Sequence, residues 1–210
     1  MSGSRITLGP GLFHVSGYLD RAAQERLRDD LAAVMEAAPP FQPRMPRTGK
    51  PFSVRMTNCG ALGWVSDAEG GYRYQPTHPE TGAPWPAMPA LLQEAWRDLA
   101  DCPAPPEACL VNLYDGAAKM GLHQDRDEEA FDAPVVSVSL GDTALFRIGG
   151  TTRGGPTRSI RLASGDAFVF GGPARLVYHG IDRVIAGSST LLPEGGRLNC
   201  TLRRVTPVGS

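Results

Sequence analysis

The spacing of hydrophobic residues predicts two helices in the first half of the chain. Residues 21–38 repeat apolar side chains at helical spacing, with Asp20 as a candidate N-cap and Pro39 as a stop. A second helix is predicted from Pro89 to about residue 100, with the proline in its first turn. Trp96 falls on the apolar face of this second helix, so we expect it in the core.

The pattern changes after residue 105 to short apolar runs separated by glycine-rich turns. The predicted strands are residues 109–114, 135–140, 144–148, 159–162, 167–170, 176–179 and 199–205, with two earlier ones at 12–15 and 53–58. This spacing is typical of an antiparallel sandwich or barrel. The predicted fold class is mainly β with flanking helices. We expect a double-stranded β-helix (jelly roll) core over residues 106–206, preceded by an N-terminal α/β extension over residues 1–105.

The tripeptide His123-Gln124-Asp125 is a candidate metal-binding motif. In an extended strand alternate side chains point the same way, so His123 and Asp125 would face one interior and Gln124 the other side. Two imidazoles and one carboxylate are the donor set of non-haem Fe(II) oxygenases. His179, at the end of a predicted strand, is the candidate third ligand. A lone His-x-Asp is more often a solvated turn, so this prediction depends on the surrounding sequence.

Polar residues occupy every second position of the last predicted strand. Arg197, Asn199, Thr201 and Arg203 would share one face, and Leu198, Cys200 and Leu202 the other. Two arginines inside a barrel need an anionic partner, and a dicarboxylate supplies one through paired hydrogen bonds. Asn112 and Tyr114, two residues apart on an earlier strand, could bind the same anion. A solvent-exposed amphipathic strand remains the alternative. The order of these motifs along the chain predicts an Fe(II)/2-oxoglutarate oxygenase.

Charge and cysteine content exclude some other classes. The 210 residues carry 21 basic and 22 acidic side chains, so the net charge does not favour nucleic-acid binding and any such site must be local. Residues 41–55 are such a local candidate, because four basic residues occur there without an acid. The four cysteines are scattered, which favours a reducing compartment over a disulfide framework. We find neither a secretory signal nor roughly 18 consecutive apolar residues, and expect a cytoplasmic protein.

The motifs together resemble the AlkB family of Fe(II)/2-oxoglutarate-dependent nucleic-acid demethylases, most closely the bacterial DNA-repair type. The resemblance runs from about residue 52 to residue 203. The matching stretches are residues 56–60 with Gly63-Trp64, residues 84–89, Asn112-Leu113-Tyr114, residues 122–125, residues 134–141, Gly165-Asp166, residues 178–180 and residues 197–203. Leu113 and Leu198 depart from the family pattern, but both should point away from the metal.

The resemblance implies a role for each candidate residue. His123, Asp125 and His179 would bind Fe(II). The implied 2-oxoglutarate ligands are Asn112, Tyr114, Arg197, Asn199 and Arg203, with either arginine at either carboxylate. The implied substrate contacts are Trp64 stacked on a flipped base, Asp127 near its exocyclic group, and Tyr72 and Arg153 on the strand. The N-terminal extension would recognise the nucleotide, with residues 44–55 in a mobile lid.

The implied reaction is oxidative demethylation of N1-methyladenine and N3-methylcytosine in DNA. Decarboxylation of 2-oxoglutarate, with O2 as the second co-substrate, is coupled to methyl hydroxylation and formaldehyde release. We expect a monomer acting on single-stranded DNA or a flipped alkylated base, with RNA as a further substrate and no membrane partner. Two alternatives stay open: a 2-oxoglutarate hydroxylase of RNA or protein, and a non-catalytic nucleic-acid-binding or damage-sensing module.

Overall fold

The computed structural model describes residues 3–208, and within them it contains thirteen strands and two helices. The helices are α1 (Arg21–Ala37) and α2 (Ala90–Leu99). The strands of the first half are β1 (Ser4–Gly9), β2 (Leu12–Ser16), β3 (Arg55–Gly60), β4 (Gly63–Asp67) and β5 (Gly71–Gln75). The strands of the second half are β6 (Ala108–Tyr114), β7 (Met120–His123), β8 (Val135–Gly141), β9 (Thr143–Ile148), β10 (Arg158–Leu162), β11 (Ala167–Phe170), β12 (His179–Ile185) and β13 (Arg197–Arg203).

Two antiparallel sheets form the body of the fold. The larger has the strand order β1-β2-β11-β8-β13-β6-β3, and the smaller has the order β10-β9-β12-β7. Side chains from both sheets meet in one apolar cluster, where the rings of Phe146 and Phe168 lie 4.9 Å apart. This is the predicted jelly-roll arrangement, with a core between the sheets. Strands β4 and β5 form a separate two-stranded hairpin.

Both helices cover the outer face of the larger sheet. Leu27 and Leu31 of α1 and Trp96 of α2 are buried in a second apolar cluster together with outward-facing residues of β6, β8 and β13. Asp20 caps α1, since its Oδ1 accepts a hydrogen bond from the Ala23 N–H at 2.8 Å. The two predicted helices and the buried position of Trp96 are confirmed. Pro89 lies at the N-cap of α2, one residue before its first turn.

One predicted strand was wrong. Residues 176–179 were expected to be extended, but a 3-10 turn at Gly172–Ala174 continues into a bend, and β12 begins only at His179. The Val177 N–H donates to the Ala174 carbonyl at 3.1 Å, which closes the bend. The apolar run therefore packs as a turn, and the strand that carries His179 extends forward to Ile185.

The first sixty residues join the same sheet as the second half of the chain. Strand β2 pairs with β11, and β3 pairs with β6, so the large sheet contains strands from both sides of the predicted boundary at residue 105. That boundary stays a prediction. Among residues 3–208 no helix is both long and apolar enough to cross a membrane.

Candidate active site

The three predicted metal ligands meet at one end of the space between the sheets. His123 is the last residue of β7 and lies directly opposite His179, the first residue of β12. Asp125 follows in irregular chain, and the ligand atoms of all three residues lie within 4.8 Å of one another. Gln124 points away, because its Nε2 donates to the Leu176 carbonyl at 2.6 Å. The expected alternation of side chains therefore holds, although the strand ends at His123.

Backbone carbonyls orient both imidazoles toward the gap between them. His123 Nδ1 lies 2.9 Å from the Gly121 carbonyl, and His179 Nδ1 lies 3.0 Å from the Val177 carbonyl. A carbonyl only accepts hydrogen bonds, so each Nδ1 carries the proton and each Nε2 is left with a free lone pair. The Nε2 atoms lie 3.6 and 3.9 Å from Asp125 Oδ1. Metal-binding histidines generally donate their other ring N–H in this way, to a backbone carbonyl or a carboxylate.

The charge states of the triad also suit a divalent cation. Burial and then the neighbouring His123 ring lower the pKa of His179 to about 4, so its imidazole is neutral at pH 7. Burial alone would raise the pKa of Asp125, but the Arg203 guanidinium and the two imidazoles hold it below its ordinary value. Two imidazoles and one carboxylate leave coordination positions open, as the Fe(II) facial triad requires.

The polar face of β13 points into the interior, and the solvent-exposed alternative is excluded. Arg197 is 1% exposed and Arg203 is 5% exposed. Together with the triad, a cavity between the sheets is lined by all five predicted co-substrate residues, namely Asn112, Tyr114, Arg197, Asn199 and Arg203. Leu198, Cys200 and Leu202 lie on the opposite face, within the cluster under the helices.

Three buried polar atoms of this cavity lack a hydrogen-bond partner among the described residues. They are Asn112 Oδ1, Arg197 Nε and Arg203 Nη1. Leaving such atoms unpaired is costly, so their convergence on one cavity indicates a polar ligand. The free guanidinium N–H groups fit a dicarboxylate such as 2-oxoglutarate.

The two arginines occupy different ends of the cavity. Arg203 donates to Asp125 Oδ2 from Nε at 3.1 Å and from Nη2 at 2.8 Å, so it lies at the metal end. Arg197 donates to the Ser139 hydroxyl at 2.7 Å and to the Asp142 and Leu162 carbonyls. Its partners are neutral, and burial lowers its pKa to about 10.

A second, larger cavity of about 980 Å³ opens on the other side of the metal triad. Its lining contains the four predicted substrate residues, Trp64, Tyr72, Asp127 and Arg153, and also His123, Asp125 and Arg203. The ring of Trp64 on β4 stacks on Tyr72 of β5 at 5.6 Å, and its indole N–H donates to Asp127 Oδ2 at 2.8 Å. We call this cavity the Trp64 groove.

Part of the basic stretch forms a wall of the Trp64 groove. Met45, Pro51, Phe52 and Ser53 line it, and the Ser53 hydroxyl donates to the Lys119 carbonyl at 2.8 Å. Two of the three arginines of the stretch bond elsewhere, since Arg44 reaches the Gly49 carbonyl and Arg55 pairs with Asp115. The mobility of this segment stays a prediction.

Two buried charged residues next to the triad were not predicted from the sequence. Glu128 and Arg175 are 4% and 3% exposed, and Arg175 Nη2 donates to Glu128 Oε2 at 2.9 Å. Glu128 belongs to the acidic run at residues 127–129, which is typical of a solvated surface, so no pattern in the sequence identified it. Tyr74, which lies on β5 two residues after Tyr72, donates its hydroxyl hydrogen bond to Glu128.

Comparisons with known proteins agree with this geometry. A family model described as the 2OG-Fe(II) oxygenase superfamily matches residues 11–203. The chain is 56% identical over 199 residues to the alpha-ketoglutarate-dependent dioxygenase AlkB homolog of Caulobacter vibrioides, covering 95% of this chain and 90% of that protein. It is 41% identical over 201 residues to alpha-ketoglutarate-dependent dioxygenase AlkB of Escherichia coli, covering 94% and 91%.

A solved structure supports the same fold. The structure of OsALKBH1 superposes with a TM-score of 0.81 at 28% sequence identity. The superposition covers 96% of this chain and 100% of that one.

Proposed function

Because this chain belongs to the AlkB family of Fe(II)/2-oxoglutarate-dependent dioxygenases, within the 2OG-Fe(II) oxygenase superfamily, we propose that it demethylates alkylated bases in DNA. The proposed substrates are N1-methyladenine and N3-methylcytosine. The observation that carries this proposal is the position of the triad between two cavities. One is enclosed and lined by arginines, and the other is an open groove lined by aromatic residues.

The enclosed cavity supports a role in holding 2-oxoglutarate. Arg203 contacts the metal-binding carboxylate of Asp125, so its free Nη1 would meet the 2-oxo acid end near iron. Arg197, whose hydrogen-bond partners are all uncharged groups, would bind the distal carboxylate. Asn112, Tyr114 and Asn199 would add hydrogen bonds along the molecule. Bound Fe(II), with 2-oxoglutarate and O2, supplies the oxidising power that hydroxylates the methyl group.

The Trp64 groove supports binding of a base outside the helix stack. Flipping a base costs a few kcal/mol, and least when it is damaged or single-stranded. Stacking on an aromatic ring returns roughly 1–3 kcal/mol per base. Trp64 can thus about offset the cost for a lesion but not for an intact pair. This balance favours single-stranded DNA, with Tyr72 and Arg153 as contacts to the strand.

Asp127 would distinguish cationic from neutral lesions. N1-methyladenine and N3-methylcytosine carry a positive charge, and Asp127 is a carboxylate beside the Trp64 ring. We expect Asp127→Ala to reduce repair of these two bases about tenfold more than repair of neutral methylated bases, a difference of about 1.4 kcal/mol. Parallel assays on N1-methyladenine and N3-methylthymine measure it. Equal losses on both would exclude a charge-based role for Asp127.

A single-turnover assay tests the proposed function. The protein is loaded anaerobically with Fe(II) and 2-oxoglutarate, a short single-stranded DNA with one N1-methyladenine is added, and then O2. We expect repaired adenine and succinate in equal amounts, and no repair by His179→Ala. Succinate without repair would overturn DNA as the substrate and direct the assay to methylated RNA and peptides. Neither product, with iron confirmed bound, would overturn the catalytic proposal.

We also propose that the protein acts as a monomer in the cytoplasm. Cys59, Cys109 and Cys200 are buried free thiols and Cys102 is a partly exposed one, which suits a reducing compartment. Analytical ultracentrifugation of the holoenzyme at micromolar concentration tests the proposed monomeric state.

A further inference from the structure

Glu128 is a buried carboxylate that contacts both sides of the active site. It lies three residues after the metal ligand Asp125 and is 4% exposed. Its two oxygens accept hydrogen bonds from Tyr74 and Arg175 and form an ion pair with Arg203, and these three partners come from distant parts of the chain. A buried carboxylate with this many partners is held in one orientation, so it can hold its partners in turn.

The first contact of Glu128 reaches the Trp64 groove. Tyr74 donates to Glu128 Oε1 from β5. On the hairpin, Tyr74 is the direct cross-strand partner of Trp64, and Tyr72 of the same strand stacks on the Trp64 ring. Burial raises the pKa of Tyr74 well above its ordinary value, so its hydroxyl keeps the proton that it donates. Glu128 thereby binds the hairpin that would carry the base-stacking residues.

The other contacts of Glu128 reach the metal end of the co-substrate cavity. Arg203 Nε lies 3.3 Å from Glu128 Oε1 and 3.1 Å from Asp125 Oδ2, so both carboxylates hold the same guanidinium. Arg175 supports the pair, since it also donates to the Asp125 carbonyl at 2.7 Å and to the Ala133 carbonyl at 2.9 Å. With Nε and Nη2 fixed in this way, Arg203 Nη1 stays free.

We propose that Glu128 is a positioning residue that links the Trp64 hairpin to Arg203, so that substrate and 2-oxoglutarate each strengthen the binding of the other. This inference rests on the proposed function, because it takes DNA as the ligand of the groove. A base stacked on Trp64 immobilises the hairpin, which holds Tyr74 on Glu128 and Glu128 on Arg203. The second ligand then meets an arginine whose ordering cost has already been met. By thermodynamic linkage, bound 2-oxoglutarate then strengthens the binding of DNA by the same factor.

Tyr74→Phe tests the link while leaving the charges of the site unchanged. The dissociation constant of 2-oxoglutarate is measured anaerobically from the Fe(II)-to-2-oxoglutarate charge-transfer absorbance, with and without saturating N1-methyladenine oligonucleotide. We expect the oligonucleotide to tighten binding about fivefold or more in the natural sequence, and less than about twofold in Tyr74→Phe. Unchanged coupling in Tyr74→Phe, or none in the natural sequence, would overturn the inference.

Tyr18→Phe is the matched control. In the natural sequence the Tyr18 hydroxyl also donates to a carboxylate, that of Asp98, at 2.9 Å. Tyr18 is buried in the apolar cluster under the helices, away from both cavities. Both variants lose one tyrosine hydroxyl, so both should lose similar thermal stability. Only Tyr74→Phe should lose the coupling. Equal loss of coupling in both variants would mean that general loosening of the fold explains it, against the inference.

Glu128→Gln tests the carboxylate itself. The amide has nearly the same shape but no charge, so Arg203 keeps only Asp125 as an anionic partner. We expect about tenfold weaker 2-oxoglutarate binding without DNA, and little further weakening when Tyr74→Phe is added. Additive losses in the double variant would contradict a shared path. If Glu128→Gln does not fold, the Tyr74→Phe measurement decides alone.

The two proposals fail in different ways. If fluorescence anisotropy shows that no methylated oligonucleotide binds the natural sequence, the proposed function fails. If the oligonucleotide binds and is repaired, but Tyr74→Phe shows the same coupling as the natural sequence, only the link through Glu128 fails.

Discussion

The two ends of the co-substrate cavity hold arginines of opposite character. Arg203, at the metal end, contacts the carboxylates of Asp125 and Glu128, whereas Arg197, at the far end, contacts only hydroxyl and carbonyl oxygens. Burial would lower the pKa of either arginine. It lowers that of Arg197 to about 10, but the neighbouring carboxylates raise that of Arg203 above its ordinary value. Arg203 is therefore part of the scaffold, whereas the charge of Arg197 is available to bind an anionic ligand.

The largest expected effect comes from Arg203→Met. It leaves the buried carboxylates of Asp125 and Glu128 with one cation fewer, and breaking a buried ion pair by removing one partner costs about 3–5 kcal/mol. We expect that loss in the free energy of unfolding of the metal-free protein, measured by urea denaturation. A loss below about 1 kcal/mol would show that Arg203 is not part of the scaffold.

Arg197→Met should have a small effect on stability and a large effect on 2-oxoglutarate binding. Since Arg197 has no carboxylate partner among the described residues, its loss should cost the metal-free protein at least about 2 kcal/mol less than the loss of Arg203. The affinity for 2-oxoglutarate should fall about 10- to 100-fold, as expected for charge-assisted hydrogen bonds worth ~1.5–3 kcal/mol. Isothermal titration with Mn(II) in place of Fe(II) measures this. Unchanged affinity would remove Arg197 from the co-substrate site.

A shortened co-substrate tests which carboxylate Arg197 meets. 2-Oxobutyrate keeps the 2-oxo acid end but lacks the distal carboxylate. We expect the natural sequence to bind it about as weakly as Arg197→Met binds 2-oxoglutarate, with no further loss when both changes are combined. If the two losses add, Arg197 and the distal carboxylate do not meet.

The smallest effect concerns Asp166, the carboxylate whose charge acts on Arg197. Asp166 accepts from the Gly17 and Ala163 N–H groups at 2.9 Å and contacts His14 at 2.8 Å. Burial would raise its pKa, but these contacts, with His14 first, lower it. A lowered pKa stabilises the fold above the unfolded value of about 3.9, and this contribution is lost as pH falls through the folded value.

We therefore expect Asp166→Asn to lower the free energy of unfolding by about 1–2 kcal/mol at pH 7. The difference from the natural sequence should shrink as the pH is lowered below about 5. Urea denaturation from pH 3 to pH 7 measures it. A difference that stays constant over this range would contradict an ionised Asp166 as the source.

The sequence predicted what depends on strand alternation. The interior face of β13 and the shared face of Asn112 and Tyr114 on β6 follow from a period of two, and in the structure both faces line the same cavity. The His-x-Asp spacing also placed two ligands together, although Asp125 lies beyond the end of β7. Local spacing was enough because each of these residues lies on a strand or, for Asp125, two residues beyond the end of one.

The sequence could not predict contacts that depend on tertiary packing. The Tyr74–Glu128–Arg203 connection joins three segments separated by more than fifty residues, and no local pattern marks Tyr74 or Glu128 as its members. The strand predicted at residues 176–179 was wrong for a similar reason. Its turn depends on hydrogen bonds between Tyr178 and the glycines at 149 and 150, which lie on a distant loop.

The position of β13 has a consequence for how the protein is made. This strand lies inside the large sheet, between β8 and β6, yet it is the last of the described strands to be synthesised. A nascent chain that has reached residue 196 already contains every metal ligand, but its sheet lacks the strand that joins β8 to β6 and its cavity lacks both arginines. The large sheet therefore cannot close, and the cavity cannot bind its co-substrate, before β13 has been synthesised. A message truncated just before that point would encode a split sheet rather than a weakened enzyme.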